Sequence, residues 1–237
     1  MDFSIQLWSL RSEYLHDFKS GLKFVGECGY NGVEFAGFGD LSAEEMKTEL
    51  DKNNLYSIGS HTSKDLFENA LRENLEYNKK IGSKYMIIPH ASYETREDVD
   101  KVVAILNESA KVAKEYGITV GYHNHANEFE KIDGKYILDI LAEETSDDVI
   151  LEVDVFWVAK GGECPYEYLK KLGKKAELIH LKQIDENGDN STWPKGILDI
   201  NKIKESAPYA KYFVVEQEGS ADPKPSAIEN ADFLKSL

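Results

Sequence analysis

Short runs of β-favouring residues alternate with longer amphipathic runs eight times along this 237-residue chain. FSIQLWSL, VEFAGF, LYSIGSH, YMIIPH, ITVGYHNH, VILEVDVFWV, AELIHLKQI and KYFVVEQE read as strands one to eight. Helices are predicted between them over 15–28, from an N-cap at Ser42, over 63–81 and over 95–116, then near 136–144, 165–172 and 199–206, and a last one near 226–237. Ser42 with Glu45 three residues on is a capping box. Val99, Val102, Val103, Leu106, Ala110 and Ala113 recur at helical spacing, with Gly117 as the stop. Strands separated by helices require right-handed βαβ crossovers and a parallel sheet. Eight such units, at about thirty residues each, predict an α/β fold, one closed (β/α)₈ barrel. No linker or change of composition interrupts it, so residues 1–237 read as a single domain. No G-x-G-x-x-G follows the first strand, which argues against a dinucleotide site.

Five of the six histidines fall where a strand gives way to a loop: His61, His90, His123, His125 and His180. In a parallel barrel those positions share one mouth, where such barrels carry their chemistry, and imidazole is suited to metal ligation and proton transfer near neutral pH. Side chains two apart on a strand share a face. Glu152 with Asp154, Glu216 with Glu218, and His123 with His125 are therefore expected to face inward. Charge inside a barrel is costly unless paired or metal-bound, and a mixed N/O shell suits Mn²⁺, Mg²⁺, Co²⁺ or Zn²⁺. Lys182, two residues after His180, is expected on the same face, to hold a substrate hydroxyl or to pair with Asp154 or Glu152. Trp8 reads as core, and Trp193, in DNSTWPKG, as an exposed wall for the carbon face of a ligand.

The formal net charge of −15 opposes nucleic acid and anionic membranes as partners, since both need a basic footprint. Two distant cysteines, Cys28 and Cys164, suggest no disulfide framework and fit a reducing compartment. MDFSIQLWSLR lacks the basic and long apolar regions of a secretion signal, so a cytoplasmic location is expected.

YHNH followed by EF, Tyr122 to His125 and then Glu128-Phe129, resembles a signature of the sugar phosphate isomerase/epimerase group of xylose isomerase-like barrels. Relatives of that group include inosose dehydratases, ketose 3-epimerases and hydroxypyruvate isomerases. QLWSLR, GVEFAGF, GSHTS, DVFWV, HLK and VVEQE match in order across essentially the whole length. The resemblance implies one divalent ion held by Glu, Asp, His and Glu from the ends of strands five to eight. Asp154, His180 and Glu216 fit the last three positions. Strand five offers His123 where the relatives place a glutamate that often doubles as acid/base. We assign His123 as the fourth ligand, with Glu128 or Glu152 reaching in, or a weakly held metal, as the alternatives. The implied activity is isomerisation or epimerisation of a small-molecule sugar or sugar phosphate through an enediolate, by α-proton abstraction. Glu216, His123 and Glu152 are candidate catalytic groups, and Glu34, His61, His90, His125, Lys182 and Trp193 candidate substrate contacts. A dehydratase of the same family and a non-catalytic sugar-binding barrel are the other readings, and assembly as a homo-oligomer is compatible with each. The three-zinc DNA-repair enzymes that share this barrel need further histidines after strands six and seven. Here Trp157 stands three residues after Asp154, and no histidine comes after His180.

Overall fold

The computed structural model describes residues 3–14, 17–219 and 222–237. Eight parallel strands close into a barrel: β1 (Ser4–Gln6), β2 (Gly32–Ala36), β3 (Tyr56–His61), β4 (Tyr85–Ile88), β5 (Thr119–His123), β6 (Val149–Asp154), β7 (Ala176–Leu181) and β8 (Tyr212–Val215). Each strand pairs with its neighbour in sequence, and β8 returns to β1 through Ser4 opposite Val214. Two short antiparallel ladders, Lys131–Ile132 with Lys135–Tyr136 and Gln183–Ile184 with Asn190–Ser191, decorate the loops after β5 and β7. No helix among the described residues is long and apolar enough to cross a membrane.

Alternation along the strands divides the buried side chains into two populations. Outward-facing residues such as Val33, Phe35, Met86, Val120, Leu151, Val153 and Ile179 pack against the helices. Inward-facing Ile58, Tyr85, Ile87, Ile150, Leu178 and Val214 form a separate cluster. This cluster plugs the lumen toward the strand N-termini, as side-chain layers do in such barrels. Two residues further along the same strands, Glu152 succeeds Ile150, His180 succeeds Leu178 and Glu216 succeeds Val214. The lumen thus changes from apolar to ionisable within one layer.

Two register shifts adjust this alternation. One lies between Val33 and Glu34, opposite Ile58, and the other between Leu151 and Glu152, opposite Glu177. The first lets Ile58 and His61, three residues apart, both reach the lumen, because a bulge inserts one unpaired residue and re-aims the side chains beyond it. Gly59 sits at this irregularity, where an added Cβ would meet the Tyr85 carbonyl oxygen at 2.5 Å.

The helices obey their sequence signals with local exceptions. The Ser42–Glu45 capping box is formed, and Gly82 and Gly117 adopt the left-handed conformation that ends the preceding turns. The continuous helix expected over 63–81 is instead two, Lys64–Asn69 and Leu71–Ile81, broken at Ala70. Asn69 Nδ2 donates back to the Asp65 carbonyl at 3.1 Å, the local side-chain competition that disfavours asparagine inside helices. The helix expected over 15–28 runs Phe18–Cys28, capped by Asp17, after a short helical turn Arg11–Tyr14; Leu15, its expected start, lies outside the described residues. The last begins earlier than expected, at Pro223 behind the Asp222 cap, since proline favours the first helical position. The sixth expected strand stops at Asp154, and VFWVAK forms the helix Val155–Lys160.

Candidate metal centre

His123 ends β5, Asp154 ends β6, His180 lies in β7, and Glu216 comes directly after β8; all four are buried. One ligand atom from each falls within 4.8 Å of the others. Asp154 divides its carboxylate between two tasks. Oδ1 caps the next helix, accepting from Phe156 N at 2.9 Å and Trp157 N at 3.1 Å. Oδ2 is buried without a hydrogen-bond partner, as is His123 Nε2, and the two lie 3.6 Å apart. His123 Nδ1 is 3.3 Å from the Pro89 carbonyl oxygen. That contact assigns its proton to Nδ1 and leaves the Nε2 lone pair facing Asp154 Oδ2, the arrangement a metal-binding imidazole needs. His180 Nδ1 is 3.2 Å from Glu216 Oε2. A lone pair and orphaned or ionised carboxylate oxygens converging among buried side chains fit a divalent cation.

Beneath this set lies a second one, Glu34, His61, Glu152 and His180, again within 4.8 Å of one another. His61 Nε2 is 2.6 Å from Glu152 Oε2 and 3.3 Å from Glu34 Oε2. His180 Nε2 is 2.9 Å from Glu34 Oε2 and 3.3 Å from Glu152 Oε2. Gln6 Nε2 donates to Glu34 Oε2 at 2.7 Å. His180 therefore faces the upper set with Nδ1 and the lower with Nε2.

The charges divide accordingly. Burial would push His180 down, but Glu152, Glu216 and Glu34 hold its proton well above the usual histidine range. His61 is raised in the same way, its burial outweighed by Glu34 and Glu152. Burial raises Glu34, and the facing Glu152 adds to it. Glu152 and Glu216 are held well below the carboxylate range against their burial, the first by His180 and His61, the second by Lys182 and His180. Burial lifts Asp154 to about 6 against the pull of Lys182. It drives His123 well down, helped by His180 and His61, and His125 down to about 3, helped by His123. Both of these histidines are neutral at pH 7.

A cavity of about 450 Å³ opens over the upper set, with Trp8, His61, His90, His123, His125 and Glu216 in its wall. The expected substrate contacts His61, His90 and His125 thus line it together with the expected ligands His123 and Glu216, but Glu34 lies below it in the lower quartet. Glu152, expected to act on substrate, is also fully buried there. Lys182 is 1% exposed; it pairs with Glu218 and lies 3.6 Å from Glu216. Its ammonium also sits 4.8 Å from the Trp157 ring centroid; its close ion pairs are thus with Glu216 and Glu218, while Asp154 acts on it at longer range. Trp193 corrects the expectation of an exposed wall. It is buried, stacked on Phe233, with Nε1 donating to the Leu181 carbonyl at 3.0 Å. Trp8, expected in the core, is instead 39% exposed at the mouth, anchored by Nε1 to Glu218 Oε1 at 3.1 Å. Glu218, expected to face inward with Glu216 but assigned no role, is the group that ties Trp8 and Lys182 together at the mouth. Glu128 does not reach the metal set. Its carboxylate accepts from Tyr122 OH and His125 N, both at 2.6 Å.

A parallel barrel with a candidate metal-ligand set under a cavity at the strand C-termini has its ionisable groups where (β/α)₈ barrels carry their active sites. The family model of the xylose isomerase-like TIM barrel matches residues 22–237. The chain belongs to that family, a group of sugar isomerases, epimerases and inosose dehydratases. It is 21% identical to an inosose dehydratase of Bacillus cereus (strain AH820), over 92% of this chain and 89% of that one. Among solved structures, a sugar phosphate isomerase/epimerase from Parabacteroides distasonis superposes with a TM-score of 0.87 at 24% identity, covering 100% of this chain and 94% of that one. The IOLI protein with a bound zinc atom superposes with a TM-score of 0.75 at 15% identity, covering 99% and 96%.

Proposed function

We propose that this protein is a divalent-metal-dependent sugar isomerase or epimerase that abstracts a proton α to a carbonyl. The observation that carries the reading is the convergence of His123 Nε2, Asp154 Oδ2, His180 Nδ1 and Glu216 under the cavity, with the first two buried and unpartnered. His123, Asp154, His180 and Glu216 would hold the ion. A divalent ion there supplies Lewis-acid polarisation of a substrate carbonyl and stabilises charge of the enediolate type. Glu216 is kept ionised by Lys182 and His180 and lines the cavity, so it is the group assigned to accept the α-proton. Delivery to the neighbouring carbon gives an isomer, and delivery from the opposite face an epimer. Trp8 offers an apolar ring to the carbon face of a sugar, while His90 and His125 offer ring nitrogens to its hydroxyls.

The dehydratase reading differs only in the fate of the carbanion, which expels a β-hydroxyl. The name of the Bacillus cereus relative, matched over most of both chains, favours keeping it. The acidic net charge suits a small-molecule substrate rather than nucleic acid.

Exchange in D₂O tests both readings, because each begins with the same proton abstraction. Mn²⁺-loaded protein is expected to introduce deuterium into at least one member of a panel of keto-sugars and inososes, read by NMR, and Glu216→Gln to lose this. A folded, metal-loaded protein that binds a panel member without exchange is a sugar-binding barrel, and the catalytic reading fails.

A further inference from the structure

We propose that the lower quartet, Glu34, His61, Glu152 and His180, is itself a closed cation site of zinc type, distinct from the set at the mouth. A tetrahedral zinc with bonds of about 2.0–2.1 Å places its ligand atoms about 3.3–3.4 Å apart. The quartet's histidine–carboxylate separations are 2.6, 2.9, 3.3 and 3.3 Å; the two longer ones match that edge, and the two shorter ones, of hydrogen-bond length, have to open by about 0.4–0.8 Å to admit the ion. The chemistry is a His₂Glu₂ donor set from four different strands, β2, β3, β6 and β7.

A second observation also points to a cation. Glu34 Oε1 and Glu152 Oε1 are both buried with no hydrogen-bond partner. Two carboxylates facing each other in the lumen, each with an orphaned oxygen, form an arrangement that positive charge must neutralise. Both register shifts of the barrel fall beside these two glutamates, and bulges of this kind re-aim side chains at functional sites. Glu34, Glu152 and His180 side chains are fully buried and His61 nearly so. One atom from each of the four residues would complete a four-coordinate shell made of protein alone, the mark of a structural zinc site rather than a catalytic one. The mouth set borders the cavity and leaves room for a substrate. A neutral imidazole has one lone pair, so His180 serves one ion at a time, and a second requires its deprotonation.

The rival account is that two protons, on His61 and His180, do the neutralising. Full-length protein reconstituted with Zn²⁺ and exhaustively desalted separates the two, with metal per chain read by plasma mass spectrometry. His123→Ala/Glu216→Ala disables the mouth while sparing the Asp154 helix cap. This variant is expected to retain about one zinc per chain, and the further isosteric changes Glu34→Gln/Glu152→Gln to remove it. Cobalt in the retaining variant should show the intense visible bands of tetrahedral coordination. The proposal is overturned if His123→Ala/Glu216→Ala, folded by circular dichroism, holds no metal, or if its metal survives Glu34→Gln/Glu152→Gln. A mouth site that binds metal while the quartet does not leaves the catalytic reading standing and removes this one.

Discussion

His123 is the residue where the chain departs from the pattern it resembles, and its geometry specifies the consequence. As the proposed fourth ligand, a neutral imidazole in place of carboxylate would remove one negative charge from the ligand set. That weakens hard-ion electrostatics and shifts preference from Mg²⁺ toward Mn²⁺, Co²⁺ or Zn²⁺. His123→Glu is expected to raise Mg²⁺ affinity in titration calorimetry. His123→Ala should cost more than the roughly 10–100-fold typical of a residue outside the ligand set, and His125→Ala less. Unchanged affinity in His123→Ala would remove it from the ligands. At this scale the sequence was informative about which strand ends carry chemistry and uninformative about depth. Glu152 was expected to face inward and Glu34 to contact substrate, but their place one layer below the cavity comes from bulges with no residue signature. Trp8 and Trp193 exchanged their expected places because exposure of an aromatic depends on what packs over it. Phe233, 40 positions away, covers Trp193, and no local pattern encodes that.

At the scale of elements, the loop after β5 is held by a clamp that also fixes His125. Tyr122 OH donates to Glu128 Oε1 at 2.6 Å and accepts from Ala91 N at 3.1 Å, joining the β4 and β5 loops, while Glu128 Oε2 accepts from His125 N. The EF of the YHNH signature is therefore partly structural: its glutamate is an anchor. Tyr122→Phe strands the buried Ala91 amide and leaves Glu128 Oε1 with Asn127 Nδ2 at 3.1 Å, which costs about 1–3 kcal/mol, readable as a lower urea midpoint at constant slope. Glu128→Ala should cost at least as much and also lower affinity for substrate, because His125 loses its backbone tether. A Glu128→Ala variant with wild-type stability would show that the clamp contributes nothing. The helix caps at Ser42 and Gly117 were legible because their signals are local. The break at Ala70 was less so, since the helical periodicity continues straight through it.

For the whole molecule, the alternation of eight units dictated the barrel, and the barrel explains why an acidic protein tolerates four carboxylates in its lumen. In the metal-free protein, protons on His61 and His180 offset those charges. Both groups are raised in the fold. Their contribution to stability is therefore complete below the ordinary histidine pKa and is lost as pH rises through their folded values. His123 and His125 are lowered and act oppositely, costing stability as pH falls below about 6.5. A divalent ion replaces the protons, so its binding releases them and strengthens with pH; for Asp154 this competition is strongest near and below about 6. At a hundredfold excess over its dissociation constant, an ion adds about 2.7 kcal/mol. That is worth about 5–11 °C in Tm for a chain of this size. Melting curves with Mn²⁺ and with chelator, taken from pH 6 to pH 9, should show a gap that widens with pH, mostly because the chelated protein becomes less stable. A gap that is constant or narrows with pH would mean that the ion does not displace these protons and is bound elsewhere.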